Sequence, residues 1–90
     1  MAKMVVTLKI MPESIDIDLK KLAEKIKEKI TPLGADVGKI EFEPVAFGLK
    51  AIKITFVYDE SKSVEELEDT IKEFEEVSNT EISDMRRAIG

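Results

Sequence analysis

Cysteine, histidine and tryptophan are all missing from this 90-residue chain, and each absence closes a class of function. Without cysteine there is no disulfide scaffold, no thiolate zinc site and no redox pair. Without histidine the usual general base and the commonest metal ligand are gone. Uncharged apolar runs extend only a few residues, so no segment reads as a membrane span. The start, Met1-Ala2-Lys3-Met4-Val5-Val6, has neither the apolar stretch nor the cleavage site of a signal peptide. The four glycines, at 34, 38, 48 and 90, fit neither a phosphate-cradling loop nor a dinucleotide fingerprint. One cytoplasmic domain, residues 1–90, is the expectation.

What remains is charge and pattern. Acids outnumber bases, 19 to 14, for a net charge of −5. The imbalance is local: residues 1–58 carry a net +2 and residues 59–90 a net −7. Nucleic-acid affinity comes mainly from neutralising phosphates, so an acidic chain favours a basic protein surface as partner. The pairs Asp16/Asp18 and Asp59/Glu60 lack the ligand count of a calcium loop. The acids of the second helix read as a solvated face, and a convex helix offers no cleft to split two carboxylate pKa values. No catalytic, cofactor or metal residue is assigned, and the chain is not read as an enzyme.

Met4, Val6, Leu8 and Ile10 alternate as one face of a strand that Pro12 closes. Leu19, Leu22, Ala23, Ile26 and Ile30 form a helical stripe, capped by Asp16 or Asp18 and stopped by Thr31-Pro32-Leu33-Gly34. A second strand is expected over 38–47, with Ile40 and Phe42 inward and Pro44 marking it as a sheet edge. Ile52, Ile54, Phe56 and Tyr58 share the inner face of a third strand, with Ala51, Lys53, Thr55 and Val57 outward. Ser63-Val64-Glu65-Glu66 spells a capping box, and Val64, Leu67, Ile71 and Phe74 stripe a second helix. A weaker strand over 78–89 contains Ile82 and Met85.

Strand, helix, strand, strand, helix, strand with right-handed crossovers is the α+β ferredoxin-like two-layer sandwich, βαββαβ, antiparallel sheet order 4-1-3-2. An RNA-binding module of this topology would carry aromatic rings on the outward face of the third strand. None stands there. Two segments exceed what the fold needs. In Pro44-Val45-Ala46-Phe47-Gly48-Leu49-Lys50 a bulky aromatic sits at a hairpin tip, where pattern alone folds it back over the core edge. The tail, Ser83-Asp84-Met85-Arg86-Arg87-Ala88-Ile89-Gly90, holds both arginines of the chain, read on pattern as a frayed end paired to acids of the second helix.

Those segments resemble the guanine-nucleotide exchange domain of translation elongation factor 1-beta. The family's Pro-aliphatic-small-aromatic-Gly-aliphatic-Lys turn is matched by residues 44–50. Its acidic turn is matched by Tyr58-Asp59-Glu60, its Phe-Glu by Phe74-Glu75, and its last strand by Glu81-Ile82. The similarity covers the whole chain, is strongest over 44–76, and in length is like the archaeal single-domain form. It implies a factor that promotes GDP release and GTP rebinding on the GTPase elongation factor 1-alpha. In the family the hairpin aromatic docks on one GTPase domain, and a basic residue near the C-terminus disturbs the magnesium and phosphate site of another.

Carried over, the resemblance makes Phe47, Gly48, Lys50, Met85, Arg86 and Arg87 partner-binding residues. Met85 falls at the family's large apolar position and Arg87 at its lysine, with Arg86 as the competing inserting cation. Eukaryotic members end one residue after that lysine, whereas this chain continues through Ala88-Ile89-Gly90. No direct nucleic-acid or membrane partner is expected, and the free chain is expected to be a monomer. Strand directions independently put the hairpin tip and the C-terminus at opposite ends of the sheet, about 25 Å apart at the rise of a strand. The alternative from a different class is a ligand-binding or dimerising regulatory domain of the same fold. A nucleic-acid-binding plait comes third.

Overall fold

The computed structural model describes residues 2–88. The chain builds β1 (Lys3–Pro12), α1 (Leu19–Ile30), β2 (Asp36–Pro44), β3 (Lys50–Asp59), α2 (Val64–Lys72) and β4 (Val77–Ala88). Every neighbouring strand pair is antiparallel, in the order β2-β3-β1-β4. This is the ferredoxin-like sandwich, with β2 and β4 at the edges.

Alternation in β1 and β3 dictates the core. Val6, Leu8 and Ile10 from β1 and Ile52, Ile54, Phe56 and Tyr58 from β3 are all buried. The stripes of α1 (Leu22, Ala23, Ile26, Ile30) and α2 (Val64, Leu67, Ile71) close over them. On the opposite face Thr7 and Thr55 share a hydroxyl–hydroxyl contact of 3.1 Å, flanked by Val5, Lys53 and Val57. Ala51 alone in the outward row of β3 is buried.

Several elements depart from the sequence expectation. β2 begins at Asp36 rather than 38 because Asp36 and Val37 pair with Val57 and Phe56, the register then slipping before Lys39. It ends at Pro44, and Ala46–Gly48 form a separate tight turn. Phe42 lies opposite Ile52 on the helix-facing side, yet is 38% exposed, since an edge strand reaches past its cover. α1 is capped by Asp18, whose carboxylate accepts the amides of Lys20 and Lys21 at 3.1 and 3.3 Å. At α2 the capping box does not form. Ser63 makes no side-chain cap, and its carbonyl accepts the Glu66 amide instead. Glu65 and Glu66 in the first turn complement the helix dipole without that bond. α2 also stops at Lys72, and Phe74 packs against the core from the turn beyond it.

β4 is not frayed: it stays paired with β1 from Pro12↔Val77 to Lys3↔Ala88. Ile89, the end of the strand expected from sequence, lies outside the described residues.

The α1–β2 connection requires one glycine. Gly34 has φ +105°, and Lys62 reaches over it to donate to the Leu33 carbonyl at 3.2 Å while lying 5.7 Å from the Tyr58 ring centre. A Cβ at position 34 would sit 2.7 Å from the Lys62 ammonium, which can swing aside, so the backbone sets the cost. Gly34→Ala is expected to destabilise by about 1–2 kcal/mol. The reading is a lower urea midpoint at unchanged m-value.

Candidate functional site

The β2–β3 hairpin closes with the Val45 amide on the Leu49 carbonyl (2.8 Å) and the Leu49 amide on the Ala46 carbonyl (3.2 Å). That geometry drives two successive residues into left-handed backbone, Phe47 at φ 59°, ψ 34° and Gly48 at φ 77°. Phe47 is the only non-glycine residue with positive φ among the described residues. A bulky side chain there costs on the order of 1–2 kcal/mol. The ring does not fold back. It is 95% exposed, which overturns the pattern reading of Phe47 as a cover for the core edge. Lys50 follows on the helix-facing side and lines a shallow cleft with Leu19 and Phe42.

The tail ends the other edge strand. Met85 pairs with Val6, Arg86 with Val5 and Arg87 with Met4. Alternation therefore sets Met85 and Arg87 on the helix side and Arg86 on the open face. Met85 is 44% exposed, because β4 runs on past the end of α2's cover. Arg86 Nε donates to Asp84 on its own strand at 2.8 Å, and Arg87 Nε to Glu60 at 3.1 Å. Neither arginine meets an acid of α2, contrary to the pattern expectation. Glu60 belongs to the acidic turn after β3. There Asp59 accepts the Ser61 amide and hydroxyl at 2.9 and 2.8 Å, which hold its carboxyl below the usual range. The Glu60 amide donates to the Ala2 carbonyl at 3.3 Å. Sequence reasoning matched this turn to a family motif but missed that it holds Arg87. It also passed over Ile15, 68% exposed beside the hairpin.

The six sequence candidates thus form two groups, Phe47, Gly48 and Lys50 at one end and Met85, Arg86 and Arg87 at the other. Their separation follows from register. Lys50 lies beyond Ile10↔Ile52, whereas Arg87 sits at Met4, opposite Tyr58. The ten residues of β3 span about 30 Å at the rise of a strand. The molecule measures 41 × 21 × 18 Å, so the two groups occupy its long dimension. Between them the surface offers open clefts, and no cluster of three acids able to hold a metal occurs among the described residues.

Comparison with known proteins bears on this arrangement. A family model described as the EF-1 guanine nucleotide exchange domain matches residues 5–88. Elongation factor 1-beta of Methanothermobacter thermautotrophicus is 42% identical over 88 residues, spanning 97% of this chain and 98% of that protein. Elongation factor 1-beta of Staphylothermus marinus is 43% identical over 89 residues with the same coverage. That of Methanosarcina barkeri is 46% identical over 82 residues, 89% of this chain and 91% of its own. The span of the family model includes both helices and the positions of Phe47, Arg86 and Arg87. The chain belongs to the EF-1 guanine nucleotide exchange domain family.

Proposed function

We propose that this exchange domain promotes GDP release and GTP rebinding on elongation factor 1-alpha by gripping the GTPase with both ends of its sheet. Phe47, with Gly48 and Lys50, docks at one end. Arg87 reaches the nucleotide site from the other, Met85 packing beside it. Arg86 is the competing cation. The observation that supports this most is the placement of an exposed aromatic and two cations about 30 Å apart on one continuous sheet. A small-molecule pocket could not use both groups. A two-domain protein can.

The mechanism is linkage rather than bond chemistry. A factor that binds the empty GTPase better than the loaded one must lower nucleotide affinity by the same factor. A guanidinium pushed toward a magnesium site competes with the metal for its negative ligands and loosens the phosphates. Arg87 is free to make that move: its ion pair with Glu60 leaves the two side chains 73% and 34% exposed, and exposed pairs restrain little. The net charge of −5 argues against direct nucleic-acid binding. No helix among the described residues is long and apolar enough to cross a membrane. The working form is a monomer acting in the cytoplasm.

The test is release of fluorescent GDP from elongation factor 1-alpha with and without the chain. Acceleration of about tenfold or more is expected, within the range of ordinary coupling free energies. A folded sample without effect would remove the proposal. Gel filtration of the free chain should return the monomer, whereas a stable dimer would favour the regulatory-domain alternative.

A further inference from the structure

The hairpin tip has a neighbour. The chain between β1 and α1 runs beside it, pinned at its start by the Glu13 amide on the Glu76 carbonyl (2.8 Å) and at its end by the Asp18 cap. Ile17 packs against the core, whereas Ile15 points out, 68% exposed. Its Cγ2 lies 4.0 Å from where a Cβ on Gly48 would stand, one residue from Phe47. On the other side Phe42 stands half-exposed, outside the core cluster. Two shallow clefts join these side chains, one of about 310 Å³ against Phe42 and one of about 220 Å³ against Ile15 and Gly48. Both are lined by Leu19 and Lys50, so the surface is continuous. Three of the six large hydrophobics exposed among the described residues gather at this one end.

We propose that this whole surface, with Ile15 as its second anchor, is the face that receives elongation factor 1-alpha. The inference rests on the reading of the hairpin tip as a GTPase contact. Area is the reason one ring does not suffice. An aromatic side chain buries about 150–250 Å². A stable partner surface needs about 800 Å² per side. The tail end supplies part of the remainder, and beside Phe47 the surface from Ile15 through Leu19 to Phe42 is the apolar area the fold adds to the ring. It has an apolar centre and a polar rim of Asp18, Lys20 and Lys50, the usual anatomy of a docking patch. Its loop is held at both ends before any partner arrives, which lowers the ordering cost of binding. The matching GTPase surface is apolar at its centre, with pockets on either side of the one that takes Phe47.

The experiment is titration of GDP release from elongation factor 1-alpha by wild type, Ile15→Asp, Ile15→Leu, Phe42→Ser and Phe47→Ala, each checked for an unchanged melting temperature. Ile15→Asp is expected to raise the half-maximal concentration on the order of tenfold while the maximal rate holds, the behaviour of an anchor that binds without touching the nucleotide site. Phe42→Ser should move it the same way, and Ile15→Leu should titrate like wild type. If Ile15→Asp and Phe42→Ser match wild type while Phe47→Ala is weakened, docking is by the hairpin alone and the proposal is overturned. If Phe47→Ala matches wild type as well, it falls together with the reading it rests on. A free chain that sediments as a dimer dissociated by Ile15→Asp gives the surface to a second copy, and that too overturns it.

Discussion

Phe47→Ala should raise the concentration needed for half-maximal GDP release by about thirtyfold, leaving the fold untouched. The two halves of that expectation come from one number. A ring 95% exposed contributes almost no burial to the folded chain, so all of its apolar area is available to a partner. Burying a phenylalanine side chain is worth about 1.5–3 kcal/mol. Aromatic anchors at interfaces commonly reach about 2 kcal/mol, which is close to thirtyfold in affinity. Thermal unfolding of the variant should stay within about 0.5 kcal/mol of wild type, as for other surface substitutions. Phe47→Gly separates stability from function further. Glycine adopts φ 59° freely, so this variant should be as stable as wild type or up to about 1 kcal/mol more stable, while docking as poorly as alanine. An unchanged titration for both variants would take the hairpin out of the interface.

Such a residue is hard to read from sequence because an aromatic in an apolar stretch ordinarily signals core. Its exposure follows from backbone geometry, two consecutive left-handed residues at a turn, and the Phe-Gly pair hints at only one of them. The central elements were legible for the opposite reason. In β1 and β3 burial alternates with period two, and in α1 the stripe recurs at helical spacing, so face and pattern coincide.

Where face and hydrogen bonding part company, the pattern misleads about boundaries. Phe74 continues the stripe of α2 although the helix has ended. The turn from Ile71 to Phe74 keeps the same side toward the core, with the Phe74 amide on the Ile71 carbonyl at 3.1 Å. In β4, Ile82 and Met85 stand three residues apart, which strict alternation would put on opposite faces. The structure resolves this with a bulge: Leu8 pairs with Ile82, Thr7 with Asp84, and the intervening Ser83 is the extra residue. That one-residue slip returns Met85, and two residues later Arg87, to the helix side. Without it the tail's two arginines would exchange faces. The Arg87–Glu60 contact joins residues 27 apart, and only the assembled sheet brings them together.

The bulge also yields the sharpest expectation for the tail. Arg87→Ala should lower the maximal rate of GDP release by about 5- to 150-fold, the span of a coupling of about 1–3 kcal/mol. The half-maximal concentration should change little, since Phe47 still docks. An interaction made only as nucleotide leaves lowers the maximal rate without weakening initial binding. Arg87→Lys should retain most of the activity if charge is what competes at the metal site, though without the planar fork of the guanidinium. Arg86→Ala should stay close to wild type, because Arg86 lies on the open face, opposite the side that carries Arg87. The competition has a second signature. Raising magnesium should slow exchange driven by wild type and leave the residual rate with Arg87→Ala unaffected. If Arg86→Ala shows the loss and Arg87→Ala does not, the inserting cation comes from the open face, and the GTPase must approach the sheet from the side away from the helices.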